Sequence, residues 1–271
     1  MINLFNDSRK QSAFTLIELL VVVAVLALLA SIVFSNLTGA REQAKISNAL
    51  SFQSNMHNLL GADLVGWWNF DEGNAKDISG YNNHGVITRT SLARGVNGNE
   101  GSALRFKGSA DFVIIPETND FFNFTQGDSF SYSSWFKVDS FPASWHGIIS
   151  KSPSWGEGYN LQVGLTQNIA CGIGAYVRTE WEPQLDIWYH AICSYDGNKM
   201  TLYVNGVEES SKSYNIKSGD TDLKLGMFYT TNSLGFYGVI DDVRIYSRAL
   251  TAYEVQTLYA QTKDNYLAEE Q

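Results

Sequence analysis

Trp188-Tyr189-His190-Ala191-Ile192-Cys193-Ser194-Tyr195-Asp196-Gly197-Asn198-Lys199-Met200-Thr201-Leu202-Tyr203-Val204-Asn205-Gly206 holds two runs of aromatic and branched residues. Asp196-Gly197-Asn198 divides them and Asn205-Gly206 closes the second. Asn and Gly tolerate the left-handed backbone of tight hairpin turns, so the stretch reads as strand, turn, strand, turn. Similar runs occur on both sides: Leu64 to Phe70, Ala103 to Phe106, Phe112 to Ile115, Ser129 to Val138, Gly147 to Ser150, Tyr159 to Val163, Ile169 to Val177, Leu223 to Met227 and Tyr237 to Tyr246. About a dozen short strands with turn signals and no intervening helix predict an all-β sandwich or jelly roll.

Composition agrees. The chain has 271 residues, 44% hydrophobic, with 23 Gly, 14 Tyr and 7 Trp but only 4 Pro. That supports one substantial core and an appendage. Residues 62–271 carry 15 Lys+Arg against 25 Asp+Glu, a balance of −10, while residues 1–61 carry 4 against 3. An acidic body disfavours nucleic acid as a partner. Only Cys171 and Cys193 are present. If Ile169 to Val177 and Trp188 to Tyr195 form a hairpin, the two cysteines face each other as a bridge or as two buried thiols.

The amino terminus follows another logic. Met1 to Ala13 is short and polar with Arg9 and Lys10 beside the apolar run, whereas a signal peptide carries its apolar core before the cut. Phe14 to Phe34 is nearly all apolar, and at about 1.5 Å per residue it matches the thickness of a bilayer. Arg9 and Lys10 orient it towards the cytoplasm. Glu18 interrupts it, and a carboxylate at membrane depth costs roughly 2.5 to 3.5 kcal/mol, so a partner is expected. Ala40, Ala44, Leu50, Met56 and Leu60 continue an apolar stripe at helical spacing, a packing seam that Gly61 ends.

Ser12-Ala13-Phe14-Thr15-Leu16-Ile17-Glu18-Leu19-Leu20 resembles the prepilin cleavage and methylation motif of type IV pilins and type II secretion pseudopilins. The resemblance implies that a prepilin peptidase cuts between Ala13 and Phe14 and methylates Phe14. It also implies that Glu18 neutralises the terminal amine of Phe14 in an adjacent subunit while the helices pack into a homo-oligomeric filament. The family often has Gly before the cut and Pro later in the helix, where this chain has Ala13 and Ser35; Asn36, Thr38 and Gly39 are weak helix formers that soften the same region.

Gly101-Ser102-Ala103-Leu104-Arg105-Phe106, the quoted hairpin, and Gly238-Val239-Ile240-Asp241-Asp242-Val243-Arg244-Ile245-Tyr246 running into Arg248-Ala249-Leu250 resemble laminin G-like members of the concanavalin A-type jelly rolls. Trp68-Asn69-Phe70-Asp71-Glu72-Gly73 and Asp77-Ile78-Ser79-Gly80-Tyr81-Asn82-Asn83 fit the opening of the same pattern. The expected organisation is a leader at 1–13, an assembly helix at 14–61 that spans the membrane at 14–34, a laminin G-like sandwich at 62–262 with a short helix near Ala252 to Tyr259, and a tail at 263–271.

Asp71, Glu72, Asp77, Asn82, Asn83, Asp241 and Asp242 are hard oxygen donors near the two ends of the domain, where the resemblance implies a structural calcium. His57, His84, His146 and His190 lack zinc spacing. No acidic run or nucleophile elbow marks a catalytic site, so no enzyme activity is expected. Trp145, Trp155 and Trp181 lie in loop-like text, where indole faces can stack on sugars.

The resulting expectation is a type IV pilus subunit that shows a lectin-like sandwich to surfaces or carbohydrates. It would reside in the inner membrane with the pilus assembly machinery and then in an extracellular filament. A minor tip pilin, or a periplasmic pseudopilin of a type II secretion or DNA-uptake machine, is the alternative, and a monomeric membrane-anchored lectin is a third reading.

Overall fold

The computed structural model describes residues 16–17, 19–30, 60–108, 110–141, 145–154, 156–164, 166–172, 177–213, 215–217, 219–228 and 234–267. The chain divides into two compact units, 1–57 and 58–271. In the first, residues 19–30 form a helix, α1, whose large side chains, Leu and Val throughout, are exposed. Among the described residues no helix is long and apolar enough to cross a membrane. The expected leader, the cut between Ala13 and Phe14, Glu18 and residues 31–59 of the expected helix lie outside the described residues.

The second unit is a two-sheet sandwich. In chain order its described strands are β1 (Leu64–Trp68), β2 (Val86–Thr88), β3 (Ser91–Ala93), β4 (Ala103–Lys107), β5 (Phe112–Ile115), β6 (Phe130–Val138), β7 (His146–Lys151), β8 (Tyr159–Val163), β9 (Ile169–Cys171), β10 (Val177–Arg178), β11 (Trp188–Tyr195), β12 (Lys199–Val204), β13 (Val207–Ser213), β14 (Leu223–Leu225) and β15 (Tyr237–Tyr246). One antiparallel sheet runs β13-β12-β11-β6-β15-β4-β3, with β1 also paired to β15. The other runs β10-β9-β8-β7-β14-β5-β2. Each domain end therefore finds the other, because β1 lies on Val243 to Tyr246 of β15 while β4 lies on Tyr237 to Ile240.

The hairpin from Trp188 to Gly206 forms as expected. β11 and β12 pair in register from Ala191 with Val204 to Tyr195 with Met200. Its turn residues take positive φ, 96° at Gly197, 50° at Asn205 and 81° at Gly206. Core residues follow the two-residue period, so Tyr159, Leu161 and Val163 of β8 point inward against Phe130 and Tyr132 of β6. Phe124 stacks on Phe130 with ring centroids 4.3 Å apart. Burying each such ring stabilises the fold by roughly 1.5 to 3 kcal/mol. Gly226, at φ 77°, makes room for the core, since a Cβ there would lie 2.1 Å from the Phe106 ring.

Several boundaries differ from the sequence reading. The run Ile169 to Val177 is divided into β9 and β10. Both belong to the seven-stranded sheet, whereas β11 belongs to the other. Cys171 and Cys193 thus do not face each other across a hairpin. They form a disulfide that ties the two sheets together, with Cα atoms 5.9 Å apart. The first run ends at Trp68, since Phe70 turns to φ 55°. β13, Val-Glu-Glu-Ser-Ser-Lys-Ser, has no apolar alternation and exists because its backbone pairs with β12.

The closing helix, α2 (Ala252–Leu267), is longer than expected. Thr251 and Glu254 cap it reciprocally: the Glu254 N–H donates to Thr251 Oγ1 at 3.3 Å and the Thr251 N–H to Glu254 Oε2 at 2.8 Å. α2 covers the outer face of the eight-stranded sheet, where the rings of Trp135, His190 and Tyr259 stack. Arg248 clasps the arrangement, donating to Asp63 Oδ2 at 2.7 Å and to both carboxylate oxygens of Glu254 at 2.7 and 2.9 Å.

Candidate ligand and cation sites

At the β1–β15 junction the ladder between β15 and β6 slips between Asp241 and Arg244, and Asp242 sits in a left-handed backbone with φ 47°. Two residues of β15 face one of β6 there, a β-bulge that sends neighbouring carboxylates in different directions. Asp242 Oδ1 accepts from the Trp67 indole at 2.6 Å and from Arg244 Nε at 3.0 Å, and the Arg244 guanidinium lies over the Trp67 ring. Asp241, 3% exposed, turns to the loop after β3. Its oxygens accept the N–H groups of Val96 and of Asp242.

Around Gly95 four oxygen-bearing side chains gather. A Cβ on Gly95 would lie 2.2 Å from Ser102 Oγ, 2.8 Å from Asp241 Oδ2 and 2.9 Å from Asn97 Oδ1. Asn97 Nδ2 donates to Asp71 Oδ1 at 3.1 Å, which brings a second carboxylate beside the group. Burial, together with the Asp242 carboxylate, pushes the Asp241 carboxyl well above the usual carboxylate range. Burial raises Asp71 too, and Asp242 adds to the effect.

The expected donors do not all converge here. Asp77 is buried, but its carboxylate accepts the N–H groups of Trp67, Ser79 and Asn83 at 2.8 to 3.0 Å and so fixes the loop after β1. Asn83 is buried and donates to the Val65 carbonyl. Glu72 and Asn82 are exposed, and Asp242 is committed to Trp67 and Arg244. Charge alone does not mark Gly95, Asn97 and Ser102 as part of a donor set. The signal was there in the Asn97-Gly98-Asn99 turn, one residue before the Gly101-Ser102 match. Among the described residues no three His, Cys, Asp or Glu side chains form a metal-binding group, so the gathering depends on amide and hydroxyl oxygens.

The loop tryptophans separate. Trp155 lies outside the described residues. Trp145 is half-buried and packs over Gly164, whose Cβ would meet its ring at 2.7 Å. Trp181 is 36% exposed, its ring tilted against Tyr189 and its indole N–H donated to Glu209 Oε2 at 2.8 Å. Beside it, between the edge strands β10 and β13, opens a cleft of about 480 Å³.

The outer face of the seven-stranded sheet carries another polar set. Asn160 and Gln162 of β8 point away from the core and are wholly buried, and Ser150 of β7 pairs across from Asn160. Among the described residues, both polar atoms of each amide and Ser150 Oγ have no hydrogen-bond partner. Polar groups so placed are costly, about 1 to 3 kcal/mol each when unsatisfied.

Comparison with known proteins separates the chain into the same two parts. Residues 107–256 match the model of the concanavalin A-like lectin/glucanases superfamily, and residues 8–34 match the prokaryotic N-terminal methylation motif. The type II secretion system core protein G of Aeromonas hydrophila is 44% identical over 54 residues. That match takes in 20% of this chain and 38% of the relative, so the chain spans well under half of the curated protein it matches. Among solved structures, the binding domain of Paraclostridial Mosquitocidal Protein 1 superposes with a TM-score of 0.61 at 19% identity, covering 74% of this chain and 52% of that one. Domain 4 of AbnA, a GH43 extracellular arabinanase from Geobacillus stearothermophilus in complex with arabinotriose, gives 0.56 at 22%, covering 73% and 98%. The botulinum neurotoxin serotype D ligand binding domain in complex with N-acetylneuraminic acid gives 0.62 at 16%, covering 76% and 52%. At these identities the likeness is one of fold.

Proposed function

The chain belongs to the concanavalin A-like lectin/glucanases superfamily, and from that premise we propose that it is a type IV pilin-like filament subunit whose lectin-type head binds surface carbohydrate. The observation that carries the proposal is the union, in one chain, of a prokaryotic methylation motif at 8–34 with a complete two-sheet sandwich. Prepilin peptidase removes Met1 to Ala13. The helix from Phe14 then anchors the subunit in the inner membrane through residues 14–34, and its outer half runs to about residue 61. Residues 19–30 are apolar on every side, and a helix of that kind needs lipid or other helices around it. Both environments fit a subunit that is first embedded and later packed in a fibre outside the membrane, with Glu18 paired to the Phe14 amine of a neighbour.

The head acts by binding, without catalysis. Saccharide complexes among fold neighbours, arabinotriose for one and N-acetylneuraminic acid for another, support a carbohydrate ligand. Calcium is proposed as a structural cofactor. The donors that fit it are Asp241, Asp71, Asn97 and Ser102 around Gly95, since a carboxyl whose ionisation is opposed by burial gains from a cation that favours the charged form.

The Aeromonas hydrophila relative favours a second reading, a pseudopilin of a secretion machine working in the periplasm. Shearing cells, enriching filaments and sequencing the amino terminus by mass spectrometry separates the two. Methylated Phe14 in abundant surface fibres, lost on Glu18→Ala, is the expected result. Processed protein confined to the envelope supports the pseudopilin, and an intact leader overturns both.

A further inference from the structure

We propose that the cleft between β10 and β13 binds a saccharide bearing a single carboxylate. The inference rests on the carbohydrate-binding reading of the head and assigns it a place and a ligand class. The cleft lies where the two sheets end side by side, and the Ser210 hydroxyl of β13 donates to the Arg178 carbonyl of β10 at 2.8 Å across the gap. At about 480 Å³ it falls within the range of small-ligand pockets.

Its chemistry is unusual for this head. Arg178 reaches it from one sheet and Lys212 from the other, against one carboxylate, Glu180. In a domain where acids outnumber bases 25 to 15, two cations lining one cleft mark the spot. Among the described residues neither takes part in an ion pair. A guanidinium and an ammonium on facing strands suit a carboxylate, the first through two parallel N–H groups and the second as a point charge. Glu180 and the surrounding negative field disfavour a polyanion.

The remaining wall suits a sugar ring. Thr166 and Ser211 supply hydroxyls that can donate and accept. Trp181 stands next to the cleft, and two lining residues hold its backbone: Thr179 Oγ1 donates to the Trp181 carbonyl at 2.6 Å and Asn168 Nδ2 at 3.3 Å. Its indole N–H is tied to Glu209. The ring is thereby fixed yet still exposed, as a stacking platform requires.

The test is calorimetric titration of the detergent-solubilised full chain with the methyl glycosides of galacturonic, glucuronic and N-acetylneuraminic acid, each beside its neutral counterpart with the carboxylate reduced to the alcohol. At least one acid should bind about tenfold more tightly than its neutral partner. Arg178→Gln and Lys212→Gln should each weaken it by about fivefold or more, the magnitude of losing one charge-assisted contact, at unchanged melting temperature. Trp181→Ala should weaken acid and neutral sugars alike. The assignment falls if acid and neutral forms bind equally, or if the Arg178 and Lys212 variants bind as the parent does. In either case saccharide binding itself survives. Absence of binding by all six glycosides at millimolar concentration overturns the cleft and the carbohydrate reading together, leaving the filament reading to its own test.

Discussion

Replacing Cys171 and Cys193 together by Ala removes the covalent tie between the two sheets. The pair is 22 residues apart in sequence, and in the chain-entropy account a loop of that size restricts the unfolded chain by about 3 kcal/mol. Both sulfurs are wholly buried, so their loss also leaves a small void in the core. The compact unit, 58–271, is of the size for which each kcal/mol moves the melting temperature by about 2 to 4 °C, so the expected drop is roughly 6 to 12 °C. Differential scanning calorimetry of parent and variant in the same detergent reads it directly. Amide hydrogen exchange should also rise first at Val177 and Arg178, because β10 is two residues long and is held to its sheet only through β9. A variant that melts within about 2 °C of the parent, with β10 equally protected, would refute the claim that this bridge holds the edge of the sandwich.

Three further outcomes are expected. His190, stacked with both Trp135 and Tyr259, is lowered to about 3 by burial and then by the charge of Arg244. Its depressed folded value means that the stability it contributes is present above the unfolded value of about 6.5 and is lost as pH falls towards 3, at about 1.4 kcal/mol for each pH step of one. The acid limb of a melting curve between pH 6.5 and 4.5 should therefore flatten by about one proton in His190→Gln. Arg248→Met breaks the clasp to Asp63 and Glu254 and should cost about 2 kcal/mol by urea denaturation, with the measured slope unchanged. The raised Asp241 carboxyl has the opposite sign to His190: its contribution is present below about 3.9 and lost as pH rises through its folded value. In chelator at neutral pH, Asp241→Asn should thus melt higher than the parent, and on the calcium proposal added calcium should raise the melting temperature of the parent but not of the variant.

Local chemistry made much of the head legible. The hairpin from Trp188 to Gly206 could be read because its turns need residues that accept positive φ, and Asn205, Gly206 and Gly197 supply them. The strand at Tyr237 to Tyr246 could be read from its apolar run. Assignment of strands to sheets could not. A hairpin and a crossover leave the same text between Cys171 and Cys193, and the choice is made by packing far away in sequence. β13 was hidden for a related reason, since Val207 to Ser213 is polar and pairs by backbone alone. Among the site residues, Asp71 and Asp241 announced themselves by charge. Arg178 and Lys212 did not, because 34 positions separate two side chains that only the juxtaposed sheet edges bring to one cleft.

The place of β15 has a consequence for when the head can fold. It is the last of the described strands, yet β1, β4 and β6 all pair with it. A chain delivered from its amino terminus exposes three strands with a missing shared partner until residue 246 has arrived. Pairing that spans nearly the whole domain closes slowly, since loop entropy is spent before the contact is gained. The eight-stranded sheet therefore cannot close until that ten-residue strand is present.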